Sequence, residues 1–309
     1  MKKITLIFLL TTGYVFSNIN AVVSILPEQT FVKAIGGDKV NVSLMVQPGN
    51  SPHNYEPKPS QMVDITKADL YFAIDVEFEA VWLPKFQDLN PRMQVIDLAD
   101  HITKMQMQVQ HCEESKAEHE EHHGEEEHHE EDADEAHHGE DAHAHDHKGE
   151  DPHIWTAPAN VKIIAENIYK ALIQKDPENK AYYQKNLELF LASVDETDRK
   201  IKHILSSVAD GESFMVFHPS WGYFAKAYHL TQIAVEVEGK EPKPKELIHL
   251  LKEAKEEKVK AIFTQPEFSD TTATVIAKEL QIPVVKVSPL APNWSENLIN
   301  IANAIAGKN

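Results

Sequence analysis

The chain has 309 residues, of which 42% are hydrophobic, so it can bury the core of one large domain or two smaller ones. Its 49 acidic and 30 basic residues give a formal net charge of −19, which argues against a nucleic-acid partner because nucleic acids attract positive patches. The single cysteine, Cys112, excludes an internal disulfide and a multi-cysteine zinc or iron–sulfur site. Histidine, with 18 residues, is the unusual component.

Residues 1–20 are typical of a secretory signal peptide. Two lysines follow Met1, and a largely apolar stretch of about 13 residues runs from Ile4 to Phe16, too short to cross a bilayer. We expect cleavage after Ser17 or a few residues later, and a periplasmic protein without a lipid anchor, because no cysteine lies near the cleavage region. A buried first strand or an uncleaved anchor is the alternative.

Strands and helices alternate in the predicted first lobe, residues 21–157. Strands are predicted at 21–26, 40–46, 70–74 and 94–98, and helices at 28–35, 60–67 and 78–86. Ser60 is the expected N-cap of the second helix. This βα alternation predicts a mostly parallel sheet.

Residues 110–150 form a histidine- and acid-rich insert in this lobe. Positions 111–150 hold 11 histidines and 17 acids but no Leu, Ile, Val, Phe, Tyr or Trp. We predict a disordered insert, because it cannot bury enough apolar surface to offset the entropy of ordering. Its clustered imidazoles favour weak, auxiliary metal capture, whereas an acidic solubilising linker is the alternative. The predicted capture residues are His122, His123, His128, His129, His137, His138, His143, His145 and His147.

Residues 158–210 are predicted to form connector helices, at 160–174 and 177–208. In the longer one, apolar residues recur at steps near 3.6, and about 30 helical residues would span ~45 Å. The predicted second lobe, 211–309, repeats the alternation, with strands at 213–217, 231–237, 261–264 and 284–287 and helices at 221–228, 243–255, 271–280 and 296–305. The expected fold is therefore α/β, with two lobes of parallel-rich sheets joined by one long connector helix.

Three histidines stand in similar loop contexts beside a proline. His53 follows a predicted strand, His153 follows the insert, and His218 ends a strand of the second lobe. Ligands of open α/β sheets bind outside the carboxyl ends of the strands, and three imidazoles suit Zn²⁺. The remaining histidines of the folded regions are interpreted as surface or packing residues: His101, His203, His229 and His249.

Four motifs carry a resemblance to a known family: PGNSPHNYEPKPSQ, DPHIWTAP, VFHPSWGYFAKAY and FTQPEFS. In this order they resemble the solute-binding proteins of metal-importing ABC transporters, and within these the ZnuA-type zinc-binding branch. The resemblance implies a metal cleft between the lobes with His53, His153 and His218 as ligands. It also implies a membrane permease and its ATPase as partners, a monomeric state and no enzymatic activity.

The metal and the fourth ligand follow from the same resemblance. Manganese-binding members carry a carboxylate where this chain has His218, so Zn²⁺ is the expected metal. Many relatives supply an Asp as fourth ligand near the position of Ser288, so we expect water, or a carboxylate or histidine of the insert, in this place. Gln265 stands where some relatives have Glu, and neither Gln265 nor Glu267 is assigned to the metal.

Other functions are weighed against zinc capture. A hydrolytic zinc enzyme would need a positioned general base, and the sequence contains no HExxH, GxSxG or P-loop motif. A manganese- or iron-binding importer component is the nearest alternative. A metal buffer or an adhesin also stays open.

Overall fold

The computed structural model describes residues 18–108, 149–237 and 240–308, which form two α/β lobes. The strands are β1 (Ile19–Val23), β2 (Val40–Leu44), β3 (Leu70–Ala73), β4 (Gln94–Asp97), β5 (Ser213–Val216), β6 (Thr231–Ala234), β7 (Ile262–Thr264) and β8 (Val284–Lys286). The helices are α1 (Leu26–Gly36), α2 (Pro59–Lys67), α3 (Glu77–Leu89), α4 (Pro158–Lys175), α5 (Lys180–Leu205), α6 (Gly222–Ala227), α7 (Pro244–Glu256), α8 (Thr271–Leu280) and α9 (Trp294–Ile305).

Each lobe contains a four-stranded parallel sheet, and the two sheets have the same topology. The strand orders are β2-β1-β3-β4 and β6-β5-β7-β8, with every pair parallel. In each lobe the strand order reverses between two adjacent strands, β1 and β3 in the first lobe and β5 and β7 in the second. Such a switch point leaves a crevice at the carboxyl ends of the strands, where ligands of α/β proteins bind.

Helix α5 connects the lobes, as the sequence predicts. It packs against α1 and α4 on one side and against α9 on the other. The buried residues on α5 include Tyr183, Leu187, Val194, Ile201 and Leu205, which follow the helical period. The predicted fold class is confirmed, whereas the predicted division of the chain at residues 157 and 210 stays a prediction.

Two element boundaries differ from the prediction for a local reason. Leu26 begins α1 rather than ending β1, because the Glu28 carboxylate accepts the backbone N–H groups of Ser24 and Ile25 and starts the helix there. Ser60 is not the N-cap of α2. The helix begins at Pro59, whose missing N–H costs nothing in the first turn.

Two other predicted strand ends differ as well. β1 begins at Ile19, which pairs with Val40, so cleavage after Ser17 would leave this strand complete. β6 ends at Ala234 rather than 237, although the N–H groups of Val235 and Glu236 still donate to the Val216 and Phe217 carbonyls.

Several sequence-based predictions lie outside the described residues. These are most of the signal peptide, Cys112 and the nine histidines assigned to auxiliary metal capture. Among the described residues, no helix combines the length and apolar character that crossing a membrane requires.

Candidate metal centre

The structure brings His53, His153 and His218 together where the two lobes meet. One potential ligand atom from each ring lies within 4.8 Å of those of the other two. The ring centroids are 4.6 Å apart for His53 and His218, 5.3 Å for His153 and His218, and 6.4 Å for His53 and His153. Within the described parts of the chain, this is the group of His, Cys, Asp or Glu side chains that could hold a metal ion.

His53 lies in the loop between β2 and α2. Its ring is fixed by an acidic residue at the start of α3. Nδ1 lies 2.8 Å from Oε1 of Glu77, the first residue of α3. The loop itself is held by a hydrogen bond of 3.3 Å from the Phe78 N–H to the Pro52 carbonyl. The ligand loop and the start of α3 are therefore one connected unit.

The His53–Glu77 pair shifts the pKa of both groups. Burial alone would raise the pKa of Glu77, but the hydrogen bond from His53 and the charges of His53 and His153 lower it to about 2. Burial alone would lower the pKa of His53, but the hydrogen bond to Glu77 and the charges of Glu77 and Glu236 raise it. Glu77 is thus ionised near neutral pH and accepts a hydrogen bond from the protonated Nδ1 of His53.

His153 is held by Asp151, two residues earlier. Oδ1 of Asp151 accepts the His153 backbone N–H at 2.9 Å and lies 2.8 Å from Nδ1 of the ring. Both side chains are buried. One carboxylate oxygen therefore fixes both the backbone and the ring of this histidine, and the short spacing in Asp151-Pro152-His153 makes this possible.

His218 directly follows β5 and is the most constrained of the three. Nδ1 lies 2.9 Å from Oε1 of the buried Glu236, which follows the adjacent strand β6. The Gln265 side chain pairs with the His218 peptide, accepting its N–H at 3.3 Å and donating to its carbonyl at 2.8 Å. The Phe268 ring stacks on the imidazole, with centroids 5.1 Å apart and planes 22° from parallel.

All three rings share one hydrogen-bonding pattern, with a carboxylate oxygen at Nδ1. Because a carboxylate accepts, each Nδ1 carries the proton, and Nε2 is the atom that can act as a ligand. Carboxylate–histidine pairs of this kind set the tautomer and orientation of zinc ligands. Three imidazoles fixed in this way offer three nitrogen ligands, which suits a tetrahedral Zn²⁺ with one further position.

Sequence reasoning does not identify the three supporting acids. Glu77 is 24 residues from His53 and Glu236 is 18 residues from His218, so no local spacing connects them. A signal was present for Glu236, because it follows a strand that neighbours β5, and such strand ends meet at one edge of the sheet. Asp151 was visible within the DPH motif.

The other positions discussed from the sequence are not among the three grouped ligand residues. Ser288 donates its hydroxyl to Oε1 of Glu267 at 3.1 Å, and burial raises the pKa of this acid. Gln265 binds the His218 peptide, which accords with its exclusion from the metal ligands. The histidines interpreted as surface or packing residues are exposed: His101, His203, His229 and His249.

Two α/β lobes joined by a long helix, with three carboxylate-supported histidines where the lobes meet, define a metal-binding solute-binding protein. The family model ZnuA, zinc-uptake complex component A, periplasmic, matches residues 21–306, and the chain belongs to this family. Its members are solute-binding proteins and not enzymes.

Individual relatives agree on metal transport but differ in the metal. The high-affinity zinc uptake system protein ZnuA of Bacillus subtilis (strain 168) is 30% identical over 264 residues, covering 85% of this chain and 75% of the relative. The manganese ABC transporter substrate-binding lipoprotein scaA of Streptococcus gordonii is 29% identical over 275 residues, covering 86% and 77%. The crystal structure of a ZnuA deletion mutant with zinc bound is 36% identical, covers 95% of this chain and 98% of its own, and superposes with a TM-score of 0.77.

Proposed function

We propose that this protein captures Zn²⁺ with high affinity through His53, His153 and His218 and delivers it to an ABC import permease. The observation that carries the proposal is the approach of the three ligand atoms within 4.8 Å of one another. Their Nδ1 atoms face Glu77, Asp151 and Glu236, so the three rings are oriented before any metal arrives. Such preorganisation lowers the entropic cost of binding.

Zinc is favoured over manganese by the donor atoms. Mn²⁺ prefers carboxylate and water oxygens, whereas imidazole suits Zn²⁺. The carboxylates of this centre are occupied in holding imidazoles: Glu236, for example, lies 2.9 Å from Nδ1 of His218. The manganese importer component remains the alternative, since the S. gordonii relative is named for manganese.

The family and the sequence support a proposal for the cellular setting. We propose that the signal peptide directs the protein to the periplasm, where it acts as a monomer and docks on a membrane permease whose ATPase drives release of the metal. The histidine- and acid-rich insert would raise the local Zn²⁺ concentration near the centre through many weak sites.

A competition titration tests this function. Purified protein is titrated with Zn²⁺ and with Mn²⁺ against a chelating dye, as wild type and as the variants His218→Ala and His203→Ala. We expect tight Zn²⁺ binding that Mn²⁺ does not displace, lost in His218→Ala and kept in His203→Ala, whose histidine is exposed on α5. Unchanged tight binding in His218→Ala would exclude the proposed ligands, and preferred binding of Mn²⁺ would favour the alternative.

A further inference from the structure

A short antiparallel stem leads directly to the metal centre. Gln106 and Glu150 form a bridge, the Asp151 N–H donates to the Met105 carbonyl at 2.7 Å, and the Met107 N–H donates to the Gly149 carbonyl at 3.1 Å. The stem ends at Asp151, which supports the ring and the backbone of His153. A displacement of this stem therefore changes the direction of one of the three imidazoles.

The second lobe holds this stem through the Tyr223 hydroxyl, and the Gln232 side chain of β6 adds a hydrogen bond of 3.4 Å to the Gln108 side chain. The Tyr223 side chain of α6 accepts the Met105 N–H at 3.0 Å and donates to the Asp151 carbonyl at 3.0 Å. Tyr223 is buried, and it bridges the same pair of residues that the stem joins by its own hydrogen bond. The hydroxyl thus fixes both strands of the stem at the position nearest the centre.

The adjacent residue, Gly222, supports the same contact. A Cβ atom at this position would lie 2.9 Å from Oδ2 of Asp151, closer than side chains ordinarily approach. Only glycine allows α6 to pass this carboxylate at the observed distance. The Asp151 carboxylate is therefore confined by α6 and bonded to His153 through its other oxygen.

The residues after His153 are attached to the second lobe as well. The Trp155 indole N–H donates to the Pro289 carbonyl at 2.7 Å, and the Trp294 indole N–H donates to the Trp155 carbonyl at 2.8 Å. The segment 151–155 is thus bound to the second lobe at both ends. His153 is held by this lobe, together with His218, although it follows the sheet of the first lobe.

Resting on the proposed zinc function, we infer that Tyr223 is a positioning residue of the metal centre, acting on His153 through the stem and Asp151. Removal of its hydroxyl would release the stem from α6. The Asp151 carboxylate would then fix the Nδ1–H tautomer and the direction of the His153 ring less well. Changes at groups that orient zinc ligands lower affinity by roughly 10–100-fold, and we expect about tenfold for this indirect contact.

The test compares Tyr223→Phe with Tyr228→Phe. Tyr228 follows the same helix, is buried, and donates its hydroxyl to Oδ1 of Asp198 at 3.0 Å, away from the stem. Both variants lose one bonded hydroxyl, so both should melt at a slightly lower temperature than wild type. Only Tyr223→Phe should weaken Zn²⁺ binding about tenfold in a competition titration. A second variant, Gly222→Ala, should weaken it too, because the added methyl group displaces the Asp151 carboxylate.

A spectroscopic readout separates positioning from a general loss of stability. Nitrogen NMR of the His153 ring without metal, above neutral pH, should show the Nδ1–H tautomer in wild type and Tyr228→Phe and a mixture of tautomers in Tyr223→Phe. Wild-type affinity and an unchanged His153 tautomer in Tyr223→Phe would overturn this inference alone. A wild-type protein without tight Zn²⁺ binding would overturn the proposed function and this inference with it.

Discussion

Nδ1 of His218 lies 2.9 Å from Oε1 of Glu236, and both side chains are buried. The two residues follow neighbouring strands, β5 and β6, so the sheet itself fixes their separation. With the proton held on Nδ1, Nε2 is the ligand atom, and the carboxylate makes it a stronger donor. The orientation of this ligand is therefore set by the fold, before any metal is bound.

Replacement of Glu236 by Ala should lower Zn²⁺ affinity by about 10–100-fold, because the His218 ring loses the partner that selects its tautomer. Competition titration with a chelating dye measures the change. Glu257→Ala is the matched control, since this exposed acid of the same lobe accepts the Ser213 hydroxyl instead. Equal affinities of the two variants would show that Glu236 does not orient the ligand.

A buried acidic pair in the first lobe makes the stability of the metal-free protein depend on pH. Burial raises the pKa of Glu79 to about 8, and burial together with the charge of Glu79 raises the pKa of Glu28 well above its usual range. Unfolded, both acids titrate near 4.5. Between that value and the folded pKa the unfolded state binds fewer protons, so the free energy of unfolding falls as pH rises.

The titration of His53 also lowers the free energy of unfolding as pH rises. Its folded pKa is raised above the ordinary 6.5, so its contribution is complete below 6.5 and is lost as pH rises through the folded pKa. The metal-free protein should therefore melt at a higher temperature near pH 6 than near pH 8.5. Thermal unfolding in chelator at constant ionic strength measures this, and a melting temperature that is flat or rises with pH would contradict it.

The stabilisation by Zn²⁺ should have the opposite pH dependence, because imidazole ligands must lose their protons to bind the metal. The increase in melting temperature on adding Zn²⁺ should grow from about pH 6 to about pH 8.5. The same melting experiment with and without excess Zn²⁺ measures the increment. An increment that shrinks over this range would argue against histidine ligands.

Deletion of residues 113–148 should reduce the number of Zn²⁺ ions bound but keep the tight site. The deleted segment carries the predicted weak sites, whereas the three central histidines lie outside it. A variant with the nine predicted capture histidines changed to Asn keeps the acids and tests the solubilising-linker alternative. Equilibrium dialysis counts the ions, and loss of the tight site on deletion would mean that the segment supplies an essential ligand.

Much of the fold and the grouping of the three histidines could be predicted from the sequence, since both depend on strong local patterns. The patterns of buried strands and prolines place His53 and His218 in loops after two strands, and they place His153 beside a proline after the insert. The helix start at Pro59 was missed, because Ser60 is a good capping residue and proline tolerates the first turn equally well.

Interactions between distant elements could not be read in this way. The contacts of His53 with Glu77 and of His218 with Glu236 depend on which strands become neighbours. Tyr223 is 72 positions from Asp151 and 118 positions from Met105, the two residues of the stem that its hydroxyl bonds. No periodicity or motif reports such pairs, because they arise from the order of the strands within a lobe or from packing between lobes.

The crystal structure of the zinc-loaded protein, with anomalous diffraction at the zinc edge, shows whether the three histidines bind one ion. We expect one strong peak where the lobes meet, bonded at roughly 2.0–2.1 Å to Nε2 of His53, His153 and His218. A peak bound elsewhere, or any of these three rings turned away from the ion, would contradict this expectation.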